Sequence, residues 1–181
     1  RGGGGEEGTW GGVWNPAVVL MWKWRRSVAG TAAGLGMGRV CVLAMGGYLL
    51  ARDRGLTNPV ATLVAVVAAL NGWIICWGAS DWFGALGAFA WLPWAWWGMA
   101  RGLDPARSRW RFLWPAPFVY LLITGGFPYT VLMLALVAAW LAVKSLGTTR
   151  RLASLWPLLL GLALGFGLAA PAWLALFDYV H

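Results

Sequence analysis

The sequence predicts an all-α fold: a polytopic membrane bundle of about six transmembrane helices joined by short loops. Three observations carry that expectation. The chain of 181 residues is 60% hydrophobic and only 11% charged, with a mean hydropathy of +0.67, whereas a soluble domain carries about 25% charged residues. It holds 16 tryptophans, more indole donors than a soluble core can pair, but a number that a bilayer with two wet interfaces can place. Its basic residues gather in alternate loops. These features exclude a soluble enzyme, a disordered tail and a disulfide-rich secreted domain.

The chain divides into residues 1–29, an extracytoplasmic or interfacial segment, residues 30–176, the transmembrane domain, and residues 177–181, an extracytoplasmic tail. Arg1 to Gly12 is glycine-rich and polar, and Trp14 to Trp22 is too short to span before Lys23, Arg25 and Arg26 intervene. No signal peptide is legible there. Crossing the hydrocarbon core takes roughly 20 apolar residues, or about 17 at the short limit. Six segments reach that length, at residues 30–51, 59–78, 83–100, 110–126, 127–143 and 152–176. Their short connections predict antiparallel neighbours.

Sidedness follows from Lys and Arg. Arg52 and Arg54 follow the first segment, Arg101, Arg107, Arg109 and Arg111 the third, and Lys144, Arg150 and Arg151 the fifth, which is nine of the 14 basic residues. Those loops are expected in the cytoplasm, and the alternate loops, which have no Lys or Arg, on the other side. The net charge of +8 is therefore read as a topology signal. A nucleic-acid partner is not expected, because the charges are divided among loops instead of sharing one face. In this register Trp73, Trp77, Trp82 and Trp173 mark the outer interface, and Trp94, Trp96, Trp97, Trp110, Trp114, Trp140 and Trp156 the inner one. Ending the first segment inside at Arg52 leaves Lys23, Arg25 and Arg26 outside, against the charge rule. Either residues 10–26 are an amphipathic interfacial segment that binds lipid phosphates, or the first segment is displaced.

Few residues could carry chemistry. Arg39 lies inside the first segment, where an ionisable side chain costs at least ~2.5 kcal/mol to insert. It follows a Gly-x-Gly-x-Gly run, Gly34 to Gly38, that would let a helix or a headgroup approach. Its alternative is to snorkel to the outer interface. Gly34 with Gly38, and Gly161 with Gly165, have small-xxx-small spacing and read as packing faces. Asp81, between Ser80 and Trp82, could act as a general base or hold a divalent cation against a phosphate, the only cofactor the sequence suggests; helix capping explains the same residue. Asp178 is a further carboxylate near the chain end. Asn58 before Pro59 reads as a helix cap, and Asn71 as an interhelical hydrogen bonder. Gly125 to Tyr129 is a turn between two apolar helices. Cys41 and Cys76 read as small packing residues. The one histidine is His181, so no metal site built on histidine is expected.

The order of several apolar motifs resembles the YfhO family of bacterial membrane proteins. These are Trp14-Asn15-Pro16, the run Gly47 to Arg52 followed by Gly55-Leu56, Ala90-Trp91-Leu92-Pro93-Trp94 before an arginine-rich loop, Gly125-Gly126-Phe127-Pro128-Tyr129, and Gly165 to Pro171. Each is degenerate, and their order across residues 14–176 carries the likeness. The resemblance implies a GT-C-like glycosyltransferase of the cytoplasmic (inner) membrane that uses a polyprenyl-phosphate sugar to glycosylate a cell-envelope polymer or lipid. It further implies that the chain is a piece of a longer protein lacking the first helix and catalytic loop. The base would then lie upstream of Arg1 or be Glu6 or Glu7, and Phe127 stands where the family turn has a histidine. Arg39, Lys23, Arg25 and Arg26 are the expected partners of the lipid-linked phosphate, with Trp82 and Asp81 near the sugar. A non-enzymatic scaffold, or a component that translocates lipid-linked precursors, is the competing expectation.

Overall fold

The computed structural model describes Pro16 and residues 28–79 and 83–174. The fold is all-α, with no strand among those residues. Its helices are α1 (Val28–Asp53), α2 (Asn58–Leu70), α3 (Gly72–Ala79), α4 (Phe83–Phe89), α5 (Leu92–Leu103), α6 (Ala116–Ile123), α7 (Pro128–Thr149) and α8 (Trp156–Leu168), with 3₁₀ turns at Arg109–Leu113 and Leu152–Leu155.

Three stretches are long and apolar enough to cross a membrane: Ala33–Asp53, Asn58–Cys76 and Pro128–Thr149. The second of these is itself divided at Asn71 into α2 and α3; the other three expected segments are also assembled from shorter pieces, and there proline accounts for the breaks. Residues 83–100 become α4 and α5, divided at Ala90 and Trp91, because Pro93 has no amide hydrogen and its ring crowds the carbonyl four residues back. Residues 110–126 become a 3₁₀ turn and the eight-residue α6, with Pro115 and Pro117 at the start of that helix. Residues 152–176 begin as a 3₁₀ turn and turn again at Ala169, just before Pro171. The fifth segment outruns its expected end: α7 continues to Thr149, where Arg150 takes the left-handed conformation (φ 52°) and donates its amide to Leu146 O at 2.8 Å.

The broken elements are the interior. On one side of α4–α5, Leu43 of α1 and Ile74 of α3 pack with Ala85, Leu86 and Ala90. On the other, Ala95 and Met99 of α5 meet Val119 and Leu122 of α6, Leu134 and Ala138 of α7, and Leu158 of α8. The long helices form the outside and expose large apolar side chains, including Met37, Leu63, Val67, Leu132, Leu136 and Val143. Contiguous apolar surface of this kind is what lipid covers, and irregular backbone at membrane depth is tolerated where protein buries it. The molecule is a membrane protein inverted in this sense, with its least regular helices at the centre and its longest ones, α1 and α7, outside.

Close packing at the centre requires glycine. A Cβ on Gly161 would strike Pro115, and one on Gly165 would lie 2.6 Å from Val119, so this small-residue face is the seat of α6. Gly34 differs, since nothing among the described residues lies within 4 Å of its Cβ position.

Asn71 corrects an expectation. Instead of bonding to another helix, it ends α2 in an extended conformation. Its Nδ2 donates to Ala68 O at 2.8 Å, and its Oδ1 accepts from Trp73 N and Ile74 N at 3.1 and 3.2 Å. It therefore starts α3 as an N-cap. The cap of α2 is Thr57 by position, while Asn58 Oδ1 accepts from the Tyr48 hydroxyl at 3.4 Å. Cys41 and Cys76 form no disulfide and are exposed, so neither is an interior packing residue.

Candidate functional site

The basic loops converge at one end of the bundle. Arg101, in the last turn of α5, reaches Asp53 at the end of α1 with both prongs of its guanidinium: Nε to Oδ2 at 2.7 Å and Nη2 to Oδ1 at 2.6 Å. Its planar group also stacks on Trp97, with Cζ 4.3 Å from the ring centroid, and lies 5.4 Å from that of Trp114. The two indoles meet edge to face at 5.3 Å. Hydrogen bonding to Asp53 holds the Arg101 guanidinium above its ordinary range, against an opposing effect of partial burial. The same end carries Arg107 paired with Asp104 at 3.4 Å, Arg52 donating to Leu56 O at 2.8 Å, and Arg54 over Trp96 at 4.5 Å. Phe112 against Trp156, at 5.7 Å, and the Ser145–Ser154 hydroxyl pair, at 3.2 Å, join the third basic loop to this cluster.

These contacts change the reading of several tryptophans. Trp97 is buried and Trp94 half-buried, in edge or tilted contact with each other and with Phe118. Trp94 Nε1 donates to Val42 O at 2.8 Å, which ties α5 to α1, and its ring occupies the space above Gly46. Trp73, Trp110, Trp140 and Trp156 remain exposed, as interfacial anchors are.

Arg39 occupies a second location. It lies in α1, 14 residues before Asp53, or about 21 Å from the basic end at 1.5 Å per residue. Its guanidinium rests on Gly87 of α4, with Cζ and Nη2 each 3.0 Å from where a Cβ would stand. Gly87 is buried between Leu86 and Ala88 in the apolar interior. This part of the bundle also holds the Gly125–Gly126 turn, where Gly125 packs on Ala88 and Gly126 takes φ 78°, and where Phe127 and Tyr129 rings stand 5.4 Å apart. Lys23, Arg25, Arg26, Asp81 and Trp82, like Glu6, Glu7 and Asp178, lie outside the described residues. Arg39 is thus the one expected site residue that lies among the described residues.

Sequence reasoning passed over Gly87, Asp53 and the arginine–tryptophan stack. One signal for the ion pair was available: Asp53 and Arg101 close two apolar segments expected on the same side. Nothing local marks Gly87 among 26 glycines. Among the described residues, no three His, Cys, Asp or Glu side chains gather to hold a metal. No family model, curated protein or solved structure matches the chain.

Proposed function

We propose that this chain is the multi-pass transmembrane part of a GT-C-like glycosyltransferase of the cytoplasmic membrane, and that it forms a wall of the site for a polyprenyl-phosphate sugar. The observation that carries the reading is Arg39, a permanently charged, phosphate-matching group lying on the bare backbone of Gly87 inside an apolar bundle. A charge at that depth in hydrocarbon is a functional feature by default. In the transfer itself, the acceptor oxygen bonds the anomeric carbon as the carbon–oxygen bond to phosphate breaks. The acceptor proton passes to a carboxylate, for which Asp81 is the candidate in this chain. Arg39, with Lys23, Arg25 and Arg26, would stabilise the leaving phosphate, and Trp82 would stack on the sugar. If another carboxylate is the base, Asp81 would instead hold a divalent cation against the phosphate.

The competing reading is a non-catalytic scaffold or translocation module. It is favoured by the commitment of both described carboxylates, Asp53 and Asp104, to arginines at the basic end.

Tryptophan fluorescence of the chain in micelles, titrated with a polyprenyl phosphate, tests the proposal. Arg39→Ala is expected to weaken binding by about tenfold, the loss of one charged hydrogen-bonding partner. Unchanged affinity in a variant of unaltered helix content would remove the phosphate site. Retained binding in Asp81→Asn alongside unchanged transfer in cells would favour the scaffold.

A further inference from the structure

A crevice of about 400 Å³ runs between α1, α2 and the α4–α5 unit, and its deep end at Leu43 lies one helical turn from Arg39. Its α1 wall extends from Leu43 through Gly47 and Leu50 to Arg54. That is a rise of 11 steps, or about 16 Å, which is half of a hydrocarbon core about 30 Å thick. The walls are apolar, and the two ends differ. At the deep end the Asn71 amide is engaged with backbone, Oδ1 accepting twice and Nδ2 donating once. At the basic end Arg54 and Trp96 flank the opening.

One exposed cation and one buried indole N–H stand there. The Arg54 side chain makes no ion pair among the described residues, because Asp53 and Asp104 are taken by Arg101 and Arg107. Trp96, whose face carries Arg54, has a buried Nε1 with no acceptor among the described residues, and a buried donor left unpaired is costly. Arg54 is exposed at the opening, where its guanidinium can take an anionic oxygen. The surrounding arginines add a field of the same sign.

We propose that this crevice is a binding site for one anionic phospholipid, with one acyl chain lying along α1 as far as Leu43 and the phosphate on Arg54 beside Trp96. The length fixes the class of occupant. A chain reaching one leaflet deep from a charged mouth fits a bilayer lipid entering from the basic end, and a soluble anion would leave the apolar walls empty. This site depends on the membrane setting of the helices and not on Arg39, Asp81 or any sugar chemistry.

The test is native mass spectrometry of the chain released from nanodiscs of equal parts phosphatidylglycerol and phosphatidylcholine. The wild-type chain is expected to retain one phosphatidylglycerol in preference. Arg54→Gln is expected to cut that retention by roughly tenfold. Arg109→Gln, at the same end but stacked on Trp110, is expected to leave it unchanged. Ala68→Leu, which extends a lining side chain into the crevice, should lower retention of both lipids. If Arg54→Gln keeps the preference, or if Arg109→Gln loses as much as Arg54→Gln, the charge acts diffusely and the site does not exist. These two surface variants decide the matter even where Ala68→Leu fails to fold.

Discussion

Arg101 shows how one side chain can serve two kinds of contact. Its fork pairs Asp53 in a bidentate arrangement while its face lies on Trp97. Both partners are only partly exposed, with side-chain accessibilities of 21% and 32%, so solvent screens the pair less than a fully exposed one. A well-aligned bidentate pair near the surface contributes up to about 1 kcal/mol, and the stack about 0.5–1 kcal/mol more. Arg101→Ala removes both and Asp53→Ala removes only the first. Thermal unfolding in detergent should therefore rank Arg101→Ala as the more destabilising, with Arg101→Lys between it and wild type. Equal midpoints for Arg101→Ala and Asp53→Ala would mean that the indole face contributes nothing. Asp53 is also a case of information present but unread. As one acid among three arginines at 52–54 and 101, it looks like loop polarity until its partner is placed 48 residues away.

At the scale of elements, α8 separates two uses of glycine on a single helix. Gly161 and Gly165 press against Pro115 and Val119, whereas Gly167 has nothing within 4 Å among the described residues. Gly161→Ala should cost about 1–3 kcal/mol by overpacking, while Gly167→Ala should be neutral or stabilise by up to about 1 kcal/mol through helix propensity. Comparing the two unfolding midpoints checks this, and a similar loss at both would mean that the helix face is assigned wrongly. The spacing of Gly161 and Gly165 was legible in the sequence, and so were the two cores' helices as apolar runs. The same spacing at Gly34 has no described neighbour, because a small-residue pair states that a close approach is possible without stating which helix makes it.

For the whole molecule, the end-to-end division of charge is the testable property. Ion pairing of Arg101 with Asp53 and packing of Phe112 on Trp156 bring residues around 53, 107 and 150 to one end, and Tyr129 belongs to the other. In a background with Cys41→Ala and Cys76→Ala, Arg107→Cys and Arg150→Cys should react with an impermeant maleimide from the same side of the membrane, and Tyr129→Cys from the opposite side. Labelling of Arg107→Cys and Tyr129→Cys from one side would overturn the arrangement. The surface agrees with a lipid setting, since α2 and α7 turn Leu63, Val67, Leu132, Leu136 and Val143 outward at more than half exposure, a cost that water would not tolerate over so large a patch.

Composition and the alternation of basic loops determined the all-α class, the membrane setting and which residues belong to a common end. Those properties are sums over many residues, and a sum survives errors in any one position. Only the tertiary structure decided that residues 83–103 are the centre and the long apolar helices the sheath, because hydropathy measures how apolar a segment is and not what covers it. It also decided that Trp97 is buried and that Trp94 ties α5 to α1, that Arg39 rests on Gly87 and that Arg54 stands at the mouth of an apolar crevice. Each of these is a contact between helices distant in sequence, and its energy depends on a distance that no spacing along the chain records.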